Sequence, residues 1–260
     1  MGDWKYTVNS LVPDGQKLPS GLYRYGAVVS YDGSDFHGFQ RQKHSITVQE
    51  ELEAALSYVA NQGIRVAPAG RTDTGVHACY QVVHFDSPVL RSASTWIRGA
   101  NTRLPETISL DWAKEMPGKF HARFTALTRT YRYIISRTET RPSILSKGVT
   151  WVRHEIDVSA MVLGCQYLIG ERDFSCFRGS DCQSVSPFRN VKEATVYESG
   201  NLVVFEIKAN AFLQRMVRNI VGALLEIGRG KKKPEWIDRL LREGQRGSSA
   251  ATAPARGLYL

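Results

Sequence analysis

Cysteine is scarce: four in 260 residues, at Cys79, Cys165, Cys176 and Cys182. None shows the paired spacing of a zinc site, and Cys176 and Cys182 have no matching histidine pair, so reduced thiols and no metal are expected. Also missing is any run of about eighteen apolar residues, which a membrane-spanning helix needs. Acidic Asp3 and polar residues stand where a signal peptide would carry a basic and then an apolar stretch. The expectation is a soluble, unexported, cytoplasmic chain with no membrane partner. There is no phosphate-cradling glycine loop of the Walker type, which disfavours phosphoryl transfer, and no nucleophile-elbow signature supports a serine, histidine and aspartate triad, although sequence leaves that triad open.

Acid is in short supply relative to base. Against 25 acidic residues stand 34 basic ones, a net charge of +9, which favours a polyanionic partner. The excess is spread over Lys17 to Arg24, Arg41 to Lys43, Arg123 to Arg141 and Arg229 to Lys233, without a long amphipathic basic helix. Nucleic acid fits that distribution better than a membrane surface. A hydrophobic content of 42 % is ordinary for a globular chain with one large or two modest domains.

Met1 to Ser20 is polar, with Pro13, Gly15 and Pro19, and reads as an extension. From Tyr23 the residues Tyr23, Tyr25, Ala27, Val29 and Tyr31 alternate as in a strand, ended by the turn Asp32-Gly33. Thr47-Val-Gln-Glu50 has the form of a capping box, and Val48, Leu52, Leu56 and Val59 recur at helical spacing up to Asn61-Gln-Gly63. A short strand at Ile64 to Ala67 and another at Tyr80 to Asp86 then flank a turn-rich loop. Pro88 to Asn101 contains a helix and Ile108 to Trp112 a strand. After Tyr131, Tyr133 and Ile135 the pattern repeats. Asp157 caps a helix with Met161, Cys165 and Leu168 on one face, and Asn190 to Glu198 and Leu202 to Ala209 form a hairpin across Ser199-Gly-Asn201. A wide apolar stripe predicts a helix from about residue 212 to Gly228, with Arg215 and Arg218 as neighbours on one side of it. A short helix opened by Pro234 stops at Gly244, and Leu258-Tyr-Leu260 begins a strand. Two strand-helix-strand-strand halves, starting near Tyr23 and Tyr131, point to a duplicated α+β unit.

The chemistry concentrates in the loop Ala69-Gly-Arg-Thr-Asp-Thr-Gly-Val-His-Ala78. Gly70 and Gly75 let it bend sharply and let a ligand approach the main chain. Asp73 fits two readings, an Asx turn bonding the amides after it or a reactive carboxylate kept ionised by nearby Arg71. No second acid is recognisable as the partner of a hydrolytic pair. If Asp73 is reactive, the inventory leaves covalent or base catalysis by a single aspartate on a basic surface.

The decapeptide resembles the active-site loop of the TruA family of tRNA pseudouridine synthases. Four further stretches resemble that family's motifs in the same order: Tyr31-Asp-Gly-Ser-Asp-Phe-His-Gly-Phe-Gln-Arg-Gln42, His121-Ala-Arg-Phe124, Arg129-Thr-Tyr-Arg-Tyr133 and Asn210-Ala-Phe-Leu-Gln-Arg-Met-Val-Arg-Asn-Ile-Val-Gly222. Together they cover most of the chain from about Tyr23 onward. The resemblance implies two similar α+β halves of ferredoxin or RRM type, residues 23–120 and 121–260 after an extension at 1–22. These would share a continuous mixed, mainly antiparallel sheet, with helices on one face and a basic cleft on the other. It implies a homodimer acting on uridines 38, 39 and 40 of the tRNA anticodon stem-loop without cofactor or metal. Asp73 is then the essential catalytic group, and Arg218 pairs with it and lowers its pKa. Tyr131 stacks on the target uracil, and Arg71 fills the space the flipped base leaves or binds a phosphate, while His77 steadies the loop. Two departures from the family pattern are the extra N-terminal segment and a C-terminus that stops where the family usually continues. Alternatives from other classes are a non-catalytic RNA-binding or tRNA-folding protein and a nucleobase glycosidase.

Overall fold

The computed structural model describes residues 18, 20–245 and 249–260. Most of the expected extension at 1–22 lies outside the described residues. The rest gathers into two compact α+β units, one made of the described residues up to Thr72 with Ala78–Leu127, the other of Asp73–His77 with Thr128–Leu260.

The first unit runs β1 (Tyr23–Tyr31), α1 (Val48–Ala60), β2 (Val66–Pro68), β3 (Ala78–Ser87), α2 (Ala93–Asn101) and β4 (Ile108–Glu115), with strand order β2-β3-β1-β4 and antiparallel pairing throughout. Alternation in β1 sends Tyr25 onto Phe85, ring centroids 5.4 Å apart, and edge-on to Trp96 of α2 at 5.2 Å, all three buried. Burying each such ring contributes on the order of 1.5–3 kcal/mol. On the opposite face Arg24 forms a two-point pair with its cross-strand partner Asp86, 2.7 and 2.8 Å, and donates to the carbonyls of Gly118 and Phe120. Arg24 is 7 % exposed, so it leaves the basic surface cluster to which its position in the chain assigned it.

The capping box at Thr47 does not form. The first helical amides, of Val48 and Gln49, are taken by the carbonyls of Gly38 and Phe39, Glu50 pairs with Arg41, and the Thr47 hydroxyl is buried with no partner. At the other end Asn61 adopts the left-handed conformation, φ 54°, and closes α1 as its sequence predicts. Helix α2 is capped by Ser92, which accepts from Thr95 N–H at 3.2 Å.

The second unit contains β5 (Arg129–Arg137), β6 (Thr150–Val152), α3 (Val158–Gln166), β7 (Gly170–Asp173), β8 (Phe188–Ser199), β9 (Leu202–Ala209), α4 (Met216–Gly228), α5 (Trp236–Glu243) and β10 (Leu258–Tyr259). Strand order is β10-β5-β9-β8-β7, antiparallel, with β6 added parallel to β5. Gly200, φ 58°, turns the β8–β9 hairpin. Asp157 caps α3 by accepting from Ala160 N–H at 2.9 Å. Met216, Ile220, Leu224 and Ile227 of α4 bury an almost continuous face in the core with Phe174, Phe177 and Phe205.

Two sequence expectations are corrected here. Each unit has its own hydrogen-bonded sheet, so the described strands form two sheets and not one continuous sheet. Beyond β5, β10 has only two residues and makes a single bridge to His77, too little for a ladder. Helix α4 begins at Met216, not near 212, because Arg215 sits at φ 60° and ends a turn in which Met216 N–H bonds the Leu213 carbonyl. Phe212 and Leu213 extend the apolar stripe because they pack on the core, not because they are helical.

Among the described residues no helix is long and apolar enough to cross a membrane. The four cysteines are free thiols.

Candidate active site

The loop that carries Asp73 is fastened residue by residue. At its start, the Gln81 side chain donates to Gly70 O at 2.6 Å, the Thr72 hydroxyl bonds the Tyr31 phenol at 2.8 Å, and Thr72 O accepts from Phe39 N–H at 3.1 Å. Arg71, between these anchors, is exposed.

From Asp73 onward the loop packs in the second unit. Val76 N–H bonds Asp73 O at 3.1 Å, closing a turn in which Gly75 takes φ 75°. A Cβ on Gly75 would sit 3.3 Å from that of Ala255, so glycine serves both the turn and the close approach. Val76 is buried in the core. His77 is 3 % exposed; its Nε2 lies 3.0 Å from Lys147 O and 3.2 Å from Arg256 O, and its ring stacks on Tyr259 at 4.7 Å. Its backbone bonds Leu258 and Leu260. His77 is thus a structural anchor, as expected for a residue that steadies the loop.

The anchors at Val76 and His77 hold the Asp73 carboxylate, whose side chain is 31 % exposed, beside α4. Arg218 Nη1 lies 3.8 Å from Asp73 Oδ2, and the Arg218 side chain is 17 % exposed. Arg218 Nε donates to Ala253 O at 2.7 Å, and Ala253 N–H returns a bond to Arg218 O at 3.1 Å. Burial raises the Asp73 pKa above the ordinary carboxylate value, while Arg218 and then Arg215 pull it down. Arg218 therefore pairs with Asp73 and lowers its pKa as expected, but the net direction is upward, because removal from water outweighs the pull of the ion pair. Burial also lowers Arg218 from its ordinary value, opposed by Asp73.

Arg215 is not on the helix beside Arg218; it occupies the left-handed position before α4, with Nη2 3.7 Å from Asp181. Tyr131 lies on β5, 8 % exposed, with Phe212 edge-on at 5.0 Å. Its neighbour Tyr133 is fully buried, bonds Thr150 at 2.6 Å and donates to Pro254 O at 2.9 Å, and its phenol is pushed up to about 12 by burial. The structure therefore brings Asp73 and Arg218 together and places Tyr131 in the same unit.

Sequence reasoning missed the segment Ala250–Gly257, which holds Arg218 from behind. It has no periodicity, so pattern gave no signal. A clue lay in Gly222, where a Cβ would fall 2.1 Å from Ala251 O: the segment crosses α4 at a glycine.

A partly buried carboxylate, held by a fixed loop and faced by an arginine, can act as nucleophile or base once ionised. Among the described residues no group of three histidine, cysteine or acidic side chains could hold a metal ion.

Comparison with known proteins meets the same elements. The family model described as tRNA pseudouridine synthase matches residues 27–125 and 165–260, which include the loop, β9, α4 and β10. A tRNA pseudouridine synthase A of Aliivibrio fischeri is 51 % identical over 237 residues, 91 % of this chain and 90 % of that protein. The tRNA pseudouridine synthase A of Vibrio parahaemolyticus is 52 % identical over 232 residues, 89 % of this chain and 88 % of the relative, and that of a Vibrio cholerae strain 51 % identical over the same length. With a loop-borne aspartate facing an arginine of α4, and with these matches running through both units, the chain belongs to the TruA family of tRNA pseudouridine synthases.

Proposed function

We propose that this chain isomerises uridine to pseudouridine at positions 38, 39 and 40 of the tRNA anticodon stem-loop, with Asp73 as its catalytic residue. The observation that carries the reading is the partly buried Asp73 carboxylate 3.8 Å from Arg218, within a loop segment whose Val76 and His77 are anchored in the same unit. The reaction breaks the bond from uracil N1 to ribose C1′, turns the base, and joins C5 to C1′. A proton leaves C5 and one is gained at N1, so no redox cofactor is needed. Attack on the ribose, attack on the uracil and removal of a sugar proton all require Asp73 in its ionised form.

The other residues take roles that follow from their positions. Arg218 keeps Asp73 a usable anion against the cost of burial. Tyr131, buried on β5 beside Phe212, is the residue that the family resemblance assigns to stacking on the detached uracil. Exposed Arg71 occupies the space of the flipped nucleotide or binds a phosphate. The +9 charge supports tRNA read largely through shape and phosphates.

The two halves are similar units of RRM type in this reading. Supporting it, β4-β1-β3-β2 in one sheet corresponds to β10-β5-β9-β8 in the other, with α1 answering to α3 and α2 to α4 along the chain. Family membership supports a cytoplasmic homodimer.

The test is tRNA carrying tritium at uracil C5. A synthase releases tritium to water while the base stays attached; a glycosidase yields free uracil; a non-catalytic RNA binder does neither, and either of those results overturns the proposal.

A further inference from the structure

Arg218 is the residue that faces Asp73, yet its own aim is set by groups on the segment behind it. Asn219, next in α4 and 7 % exposed, donates from Nδ2 to Phe177 O at 2.8 Å and accepts at Oδ1 from the Thr252 hydroxyl at 2.6 Å. Two partners of opposite sense fix the orientation of the amide. Thr252 immediately precedes Ala253, whose carbonyl accepts Arg218 Nε at 2.7 Å and whose N–H bonds Arg218 O at 3.1 Å. Beyond it, Pro254 O accepts from Tyr133 at 2.9 Å. The carbonyl that aims the guanidinium is therefore pinned on one side by Asn219 through Thr252 and on the other by Tyr133. With Nε so held, the guanidinium presents Nη1 to Asp73.

We infer that Thr252 and Asn219 are positioning residues for the reaction, latching the Ala253 carbonyl so that Arg218 stays turned toward Asp73; this rests on the reading of Asp73 as the catalytic carboxylate. Neither residue touches Asp73, and they act through Arg218. The charged and titratable groups around the pair are Arg218 from α4 and Arg215 from the turn before it, which face Asp73, and Tyr133 from β5, which with Arg215 faces Arg218. Loosening the latch lets the guanidinium swing away, and a carboxylate with a less constant cation beside it ionises at higher pH.

Thr252 is exposed, so its replacement by valine opens no cavity in the packed core and removes only the hydrogen bond to Asn219. The experiment measures kcat and KM of Thr252→Val and Thr252→Ser on C5-tritiated tRNA from about pH 5 to pH 9, beside wild type and Asp73→Asn, with melting temperatures. The expected result for Thr252→Val is a kcat roughly tenfold lower near pH 6, an unchanged KM, and an acidic limb of the kcat profile moved to higher pH, with the serine variant close to wild type. A Thr252→Val profile whose acidic limb stays in place overturns the inference, whether or not kcat falls with the melting temperature. If Asp73→Asn turns over normally, the catalytic reading itself has failed; if it is inactive while the Thr252→Val limb is unmoved, only the latch is wrong.

Discussion

Arg218 meets Asp73 with one nitrogen, Nη1 to Oδ2 at 3.8 Å, and commits its Nε to the Ala253 carbonyl at 2.7 Å. The contact is a single-point pair and not the two-point clasp that arginine can make with a carboxylate. It is close enough to oppose the effect of burial on Asp73 and too weak to cancel it.

Replacing Arg218 with lysine tests this division of labour. A lysine has one nitrogen and cannot serve both Ala253 and Asp73 in the same pose. Asp73, already raised by burial, rises further when its largest opposing charge weakens. The ionised fraction at a given acidic pH therefore falls, and the acidic limb of kcat moves to higher pH. A pH profile of tritium release reads this directly, with kcat expected to drop about ten- to a hundredfold near neutrality.

His84 gives the fold a sensitivity to acid. Burial, then His121 and Arg24, push its pKa from 6.5 down to about 4, and its Nδ1 accepts from Ala122 N–H at 3.2 Å, so the folded ring is neutral. A histidine depressed in the fold contributes stability that is complete above the unfolded value and lost as pH falls through the folded one. Unfolding free energy should thus fall between 6.5 and about 4, with a slope from this group approaching about 1.4 kcal/mol per pH unit. Urea midpoints of wild type and His84→Asn, whose amide can accept but cannot titrate, should converge as pH is lowered through that window.

Gly222→Ala should damage stability and activity together. Its added methyl would lie 2.1 Å from Ala251 O, a backbone atom that can yield only if the segment carrying Ala253 lifts off α4. Overpacking of this kind costs about 1–3 kcal/mol, and each kcal/mol lowers the melting temperature by roughly 2–4 °C in a chain of this size. Calorimetry beside the tritium assay should show turnover falling at temperatures where the variant is still fully folded.

What could be read from the sequence follows the range of the interactions involved. Strand β1, helix α1 and the β8–β9 hairpin are legible because alternation, the Val48, Leu52 and Leu56 spacing, and Gly200 each act within a few residues. The loop between β2 and β3 is legible for the same reason. Thr47 misleads because carbonyls from Gly38 and Phe39 already serve the amides of the first turn, a fact of tertiary packing. Arg24 misleads because its partners Asp86, Gly118 and Phe120 come from distant parts of the chain. Strands β6 and β7, three and four residues long, are too short for a period to show. The pairing of Asp73 with Arg218 has no signature in spacing; the family resemblance supplied it together with the lowering effect of Arg218, whereas the larger, opposing effect of burial depends on tertiary packing and was not legible.

The most direct measurement is turnover of Asp73→Asn on C5-tritiated tRNA, taken with its tRNA affinity and melting temperature. The amide keeps the size of the side chain and removes its charge. We expect tritium release to fall by at least about a thousandfold, with affinity nearly unchanged. Because burial disfavours the native carboxylate at neutral pH, the melting temperature should not decrease. Release at the wild-type rate by this variant would contradict the account.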